Sequence, residues 1–207
     1  MELEQMDVKT AFLHGDLDQD LYMEQPEGYE VNPDKDQVCL LKKSLYGLKQ
    51  APEQWNKKFN SFMIDQAFIS SEHDPCVYVK EVSHDEFVYL LIYVDDMLLA
   101  AKSMVEINKL KEALSLEFEM KDMGPASRIL GIDITRNREE GTLCLSQSKY
   151  VEMVIQRFRM DESKVVNTPI RAHFKLSMVK EDSECVDTEA TPYSSAVGSV
   201  MYAMVGT

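Results

Sequence analysis

Basic residues are scarce in this sequence. Only 22 Lys and Arg stand against 36 Asp and Glu among 207 residues, a formal charge of −14, whereas a duplex-binding surface ordinarily needs cations that displace condensed counterions. That balance, taken alone, speaks against a plain nucleic-acid groove binder. Cysteine is sparse as well. Cys39, Cys76, Cys144 and Cys185 lie far apart, with no Cys-x-x-Cys pair and no histidine at ligand spacing, which argues against a disulfide framework or a zinc site; all four are read as reduced and mostly structural. Long apolar runs are missing too. The best, Phe87 to Val94, is stopped by Asp95 and Asp96, far short of the ~18 to 20 residues of a membrane helix. The opening Met1-Glu2-Leu3-Glu4 is acidic where a signal peptide would be basic and then apolar. An intracellular protein, cytoplasmic or nuclear and without a membrane partner, is the expectation.

What is present suits an ordinary folded domain: 44% hydrophobic and 28% charged residues, in a chain long enough for one full core. The charge is unevenly spread. Met1 to Asp36 holds two lysines against eleven acids, −9, while Gln37 to Asn60 holds five lysines against Glu53, +4. Carboxylates beside a basic strip suit metal-dependent chemistry on a polyanion, although a solvated acidic surface accounts for most of these residues.

Leu3 to Val8 reads as a strand that delivers Asp7 to its end, followed by a short turn closed by Gly15. Pro26-Glu27-Gly28 marks a turn, and Val38 to Leu41 another strand. Pro52 suits the first turn of a helix in which Trp55, Phe59, Phe62 and Met63 form one buried stripe at i, i+4, i+7 and i+8. Cys76 to Val82, Phe87 to Val94 and Met97 to Ala101 spell a meander, with Asp95-Asp96 at a tight turn. Ser103 and Glu106 form a capping box for a second helix through Ile107, Leu110, Leu114 and Phe118. Gly124-Pro125 breaks the chain. A hairpin then joins Ile129 to Thr135 with Thr142 to Leu145, and Tyr150 to Phe158 forms a third helix. Lys175 to Pro192, with five acids and two lysines, reads as an acidic flexible linker. Tyr193 to Val205 begins another helix. The order strand, helix, two strands, helix, strand predicts an α+β fold, a split βαβ (ferredoxin-like) antiparallel sheet with helices on one face.

The chemistry-bearing feature is Tyr93-Val94-Asp95-Asp96, adjacent carboxylates at a turn, a pair whose repulsion a cation would relieve. A simple polar hairpin turn is the bland alternative. In a split βαβ sheet the first and third strands are neighbours, which brings Asp7 opposite Asp95. Converging carboxylates prefer hard cations such as Mg²⁺.

Three segments carry a resemblance: Met6-Asp7-Val8-Lys9-Thr10-Ala11-Phe12-Leu13-His14-Gly15, Leu45-Tyr46-Gly47-Leu48-Lys49-Gln50-Ala51-Pro52 and Tyr93-Val94-Asp95-Asp96, in that order. Val38-Cys39-Leu40-Leu41-Lys42-Lys43, Phe118-Glu119-Met120-Lys121-Asp122-Met123-Gly124, Leu130-Gly131-Ile132 and Leu145-Ser146-Gln147-Ser148-Lys149-Tyr150 extend it over nearly the whole chain. The sequence resembles the reverse transcriptase of copia-type retrotransposons. The resemblance implies a polymerase palm over 1–137, a hairpin and helix continuing toward a thumb over 138–174, the linker at 175–192 and a truncated helix at 193–207. It implies that Asp7, Asp95 and Asp96 are catalytic and, with the Val8 carbonyl, hold two Mg²⁺ ions, for which Mn²⁺ can substitute. Ala11, Phe12, Lys49 and Gln50 would meet the incoming nucleotide, Phe12 as the aromatic gate that leaves no room for a 2′-hydroxyl. Tyr93, Val94, Leu130 and Gly131 would meet primer and template, and Lys121 could protonate departing pyrophosphate. The implied partners are an RNA or DNA template with its primer, deoxynucleoside triphosphates, and the fingers and ribonuclease H regions of the same polyprotein.

Glu53 departs from the family, which usually has a basic residue there, so weakened binding is expected. The family's basic fingers segment precedes Asp7 and is missing, so the chain is read as cut at both ends and weak or inactive alone. An RNA-binding module on a similar sheet, a nucleotidyl cyclase and an inactive relic that keeps the fold are the rival readings.

Overall fold

The computed structural model describes residues 1–31, 37–166 and 192–206. Cys185 and nearly all of the expected linker, 175–191, lie outside the described residues. The described chain forms two compact units, Met1–Ala126 and Ser127–Thr207, and combines antiparallel sheets with four α-helices.

In the first unit β1 (Glu2–Val8) runs into a 3-10 turn, Ala11–His14. A small ribbon follows, β2 (Tyr22–Glu24) paired with β3 (Val38–Leu40). Helix α1 (Ala51–Asp65) has Pro52 in its first turn, where the absent N–H costs nothing. Then come β4 (Ile69–Ser70), β5 (Val77–Ser83), β6 (Glu86–Tyr93), β7 (Asp96–Ala101), helix α2 (Met104–Glu117) and β8 (Met120–Pro125). The six-stranded sheet has the order β4-β5-β6-β7-β1-β8, with every pairing antiparallel. Strand β1, first in the chain, is thus central, between β7 and β8.

Alternation decides which face is covered. Met6 and Val8 of β1, Val88, Leu90 and Ile92 of β6, and Met97, Leu99 and Ala101 of β7 are buried in one core with Trp55, Phe59 and Met63 of α1 and Ile107, Leu110 and Leu114 of α2. The intervening residues, Asp7 and Asp96 among them, occupy the opposite face. Beneath α1 the core is aromatic: Trp55 meets Phe59 at 5.4 Å and, edge-on, Phe118 at 5.2 Å between ring centroids. Gly15 lets the loop after the 3-10 turn pass close to α1, since a Cβ there would come within 2.9 Å of the Gln54 Cβ.

The capping box is realised only in part. Ser103 Oγ accepts from the backbone N–H of Val105 at 3.2 Å, whereas the Glu106 carboxylate pairs with Lys109 at 2.6 Å. Strands β2 and β4 carry no pattern long enough to be read, having three and two residues. Strand β8 contains Gly124 and Pro125, which read as a break, yet it pairs along β1 as an edge strand, where proline is tolerated.

The second unit comprises β9 (Arg128–Ile129), β10 (Ile132–Asn137) and β11 (Thr142–Ser146) in the order β11-β10-β9, with helices α3 (Ser148–Arg157) and α4 (Tyr193–Gly206). The expected strand from Ile129 is interrupted at Leu130-Gly131, where φ is 48° and 77°, making a turn between β9 and β10.

Candidate functional site

Three acids come together at one end of the large sheet because of strand register. Asp7 on β1 lies directly across from Asp96 on β7, and directly opposed residues share a face with Cβ atoms roughly 4.5–5.5 Å apart. Asp96 also pairs with Tyr93 of β6, so Val94 and Asp95 form the two-residue connection between β6 and β7. The Val8 N–H donates to the Asp95 carbonyl at 2.9 Å, lacing β1 to that turn. The sequence expectation set Asp7 opposite Asp95; the observed cross-strand partner is the next residue, Asp96.

The turn is strained. Val94 has φ 59°, as the first central residue of a type II′ hairpin turn requires, although a β-branched side chain there is an outlier. The Trp55 indole N–H donates to the Val94 carbonyl at 2.7 Å. Below the turn, Phe12, Pro52, Trp55, Asn56, Phe59, Cys76, Ile92 and Val94 line a cavity of about 150 Å³. A larger, charged cavity of about 440 Å³ is lined by Asp16, Gln54, Lys57, Lys58, Asp65 and Glu117 among others; none of the expected site residues borders it.

The electrostatics follow from the register. Burial, then the charges of Asp95 and Asp7, raise the Asp96 carboxyl above its ordinary value of 3.8, against a hydrogen bond from Gln5 that lowers it. Among the described residues no three His, Cys, Asp or Glu side chains form a group that could by itself hold a metal ion. That arrangement still fits Mg²⁺, which is commonly bound by one or two carboxylates, water and substrate phosphates rather than by an all-protein cage. Asp7, Asp95, Asp96 and the Val8 carbonyl are oxygen donors of the hard kind this ion prefers.

The remaining candidates divide between the two units. Ala11 is fully buried in the core. Phe12, packed against that core, meets the Tyr46 ring at 4.9 Å between centroids. Lys49 is exposed. Gln50 donates weakly to Gln19 at 3.4 Å, and its Oε1 is buried without a hydrogen-bond partner. Tyr93 is 60% exposed beside the acidic turn. Lys121 on β8 stands across from Asp7, so that Asp96, Asp7 and Lys121 follow one another on the same face of three adjacent strands. Leu130 and Gly131 occupy the β9–β10 turn of the second unit, where the Tyr202 hydroxyl donates to the Leu130 carbonyl. Glu53, the departure noted above, pairs with Lys57 at 2.8 Å.

Sequence reasoning missed Trp55 as the support of the turn, Tyr46 as the neighbour of Phe12, and Gln5 as the partner of Asp96. Gln5 was within reach of alternation, two residues before Asp7 on the same face of β1. The other two depend on chain segments that meet only in three dimensions.

The family described as reverse transcriptase (RNA-dependent DNA polymerase) matches residues 1–172. The chain is 54% identical, over its whole length, to 16% of the retrovirus-related Pol polyprotein from transposon TNT 1-94 of Nicotiana tabacum. It is 35% identical over 97% of its length to the corresponding polyprotein from transposon RE1 of Arabidopsis thaliana, and 34% over 97% to that from transposon RE2, covering 13% of each. The chain thus spans less than a fifth of the length of these relatives.

Proposed function

Because the chain belongs to the reverse transcriptase family, in the form carried by copia-type transposon Pol polyproteins, we propose that it holds the nucleotidyl-transfer centre of an RNA-directed DNA polymerase serving a transposition cycle. On this reading residues 1–137 are the palm, its sheet a split βαβ arrangement, and the hairpin and helix beyond it lead toward a thumb. The observation that carries the proposal is the cross-strand pairing of Asp7 with Asp96 beside Asp95, which gathers acids remote in sequence at one end of the sheet.

Asp7 and Asp95, assisted by the Val8 carbonyl and Asp96, would hold two divalent cations, Mg²⁺ or Mn²⁺, which when bound would activate the attacking oxygen and neutralise the leaving group. The primer 3′-hydroxyl oxygen forms a new bond to the nucleotide α-phosphorus while the bond to pyrophosphate breaks. The hydroxyl proton passes to solvent, and the departing pyrophosphate takes a proton from Lys121. The Phe12 ring, backed by Tyr46, lies under the sugar and excludes a 2′-hydroxyl, and Ala11 sets the backbone that carries it. Gln50, whose Oε1 lacks a partner, accepts from the nucleotide, and Lys49 meets phosphate as a point charge. Tyr93 and Val94 form the floor beneath the primer end, and Leu130-Gly131 brings backbone close to the primer.

Trp55, the single tryptophan, reports on the turn it supports. Mn²⁺ should quench its fluorescence saturably in the wild-type chain, and Asp7→Asn and Asp95→Asn should each weaken that response tenfold or more, by about 1.4 kcal/mol. Extension of a primed RNA template should be lost in the same variants. Saturable quenching unaffected by both substitutions would sink the proposal, and salt-sensitive RNA binding without any metal response would favour an RNA-binding module.

A further inference from the structure

The face of the sheet opposite the acids carries an ion cluster that the chemistry above does not use. Lys111 of α2 is 8% exposed. Its ammonium donates to Glu4 Oε2 at 2.9 Å and to Asp122 Oδ1 at 2.7 Å, joining the helix to β1 and β8 at once. The same Asp122 oxygen accepts from the Gly124 N–H at 2.8 Å. Burial lowers the Lys111 pKa, but the hydrogen bonds with Asp122 and Glu4 more than offset this and leave it above the ordinary value.

The cluster sits at an irregularity. Along β1 and β8, Gln5 pairs with Gly124, but Met6 pairs with Asp122, so Met123 has no partner and a bulge interrupts the ladder. Gly124, with φ 72°, supplies the left-handed conformation such a bulge uses. Beyond it the register is Met6 with Asp122, Asp7 with Lys121 and Val8 with Met120. Without the bulge, the register set by Gln5 and Gly124 would continue as Met6 with Met123, Asp7 with Asp122 and Val8 with Lys121. A slip of one residue turns every side chain to the other face. Asp122 would then join the three acids, and Lys121 would be driven toward the core beside Val8.

We propose that Lys111 is a positioning residue: by clamping Asp122 and Glu4 beneath the sheet it locks the β8 bulge, so that Lys121 rather than Asp122 stands opposite Asp7. The importance of the lock for catalysis rests on the polymerase reading; the lock itself does not. Buried ion clusters add little net stability but can select one register over another. The exposed pair of Lys9 with Glu119, at 2.6 Å, lies at the far end of the same register and is open to screening.

Disulfide trapping tests the lock in a chain whose native cysteines are replaced by serine. Val8→Cys with Met120→Cys should trap the native register, and Val8→Cys with Lys121→Cys the slipped one, because only directly opposed Cβ atoms approach the ~4 Å that a disulfide demands. With Lys111 intact, only the first pair should close. Lys111→Met should shift the native-to-slipped ratio by about tenfold or more, and Lys111→Arg should restore it. Should Lys111→Met leave the buried Glu4 carboxylate uncompensated and fail to fold, the neutral combination Lys111→Met, Glu4→Gln and Asp122→Asn removes the clamp without an unpaired charge and should show the same shift. A lysine that merely stabilised the fold would lower the melting temperature and leave the trapped register unchanged; that result in the folded neutral variant overturns the proposal. Primer extension by the Lys111 variants without the introduced cysteines, which keep Lys121, should lose kcat in proportion to the slipped fraction that trapping reports. If the trapped register shifts while even the wild-type chain extends no primer, the lock stands and the polymerase reading is what fails.

Discussion

At the scale of the single residue, Asp96 concentrates the conflict between folding and chemistry. Burial first, and the neighbouring charges of Asp95 and Asp7 next, raise its carboxyl above 3.8. A carboxyl raised in the folded state binds its proton more tightly there than in the unfolded chain. Its contribution to stability is therefore fully present below the ordinary value and lost as pH rises through the elevated one. At neutral pH the charged cluster opposes folding, a cost common at sites kept for function. Asp122 behaves in the opposite sense. The Lys111 hydrogen bond holds it below its ordinary value, so its contribution is present above that value and is lost as pH falls through the depressed one. Asp96→Asn should accordingly make the metal-free chain more stable at pH 7 by about 0.5–2 kcal/mol. Each kcal/mol should appear as a rise of about 2–4 °C in Tm for a chain of this size, and the advantage should shrink toward pH 4. Saturating Mn²⁺ should raise the Tm of the wild type by more than that of the variant. Circular-dichroism melts in a chelator and in Mn²⁺ check both; a variant less stable than wild type at pH 7 without metal would show that the acids do not repel one another in the fold.

At the scale of elements, the site is a product of register and of one helix propping one turn. Helix α1 reaches the β6–β7 connection through the Trp55 indole, which holds the carbonyl of a valine in left-handed backbone. Strain of that kind costs on the order of 1–3 kcal/mol and persists only when surrounding structure fixes it. Trp55→Phe keeps an aromatic ring, smaller than the indole, and removes the donor. It should lower stability by about 1 kcal/mol and weaken Mn²⁺ binding several-fold by electron paramagnetic resonance, which does not need the tryptophan; unchanged affinity would mean that the turn holds its shape unaided. The long elements were legible from the sequence because their periodicity is long. The stripe from Trp55 to Met63 fell within α1, and Phe87 to Val94 became β6, one residue short at Val94. The meander was legible for the same reason, although its turn falls one residue earlier than read, at Val94-Asp95, and Asp96 opens β7. Strand β8 was hidden because Gly124 and Pro125 are breakers in isolation, and only the partnership with β1 and the Asp122 contact make them a bulge. The offset of Asp7 from Asp95 to Asp96 is a matter of one residue in a ladder, which composition and spacing do not encode. Trp55 read as core, and most of it is; its donor to Val94 is a tertiary fact.

At the scale of the molecule, the net charge of −14 and the nucleic-acid substrate proposed above are reconciled by where the charges sit. The acids gather at one end of the sheet, where the proposed cations would offset them, and the lysines between Gln37 and Asn60 are opposite in sign. Part of that basic strip is spent internally: Lys57 pairs with Glu53 at 2.8 Å and approaches Asp18 at 3.5 Å, and Lys58 approaches Asp16 at 3.8 Å. Exposed pairs such as these contribute little to stability, but they cancel charge that phosphate could otherwise meet. Glu53→Arg both releases Lys57 from its nearer acid, leaving Asp18 at 3.5 Å, and places a second cation four residues before it, on the same side of α1. Stability should change little. Template-primer affinity at low salt should rise by about tenfold, with one or two further phosphates neutralised, so the slope of log affinity against log salt should steepen by about 1–2. The Michaelis constant for nucleotide in steady-state primer extension should fall alongside it. Fluorescence anisotropy of a labelled template-primer across a salt series, set beside that constant, decides the matter: equal slopes and equal constants in the two chains would mean that this side of α1 never meets phosphate, and that the glutamate is a neutral surface choice rather than a brake on binding.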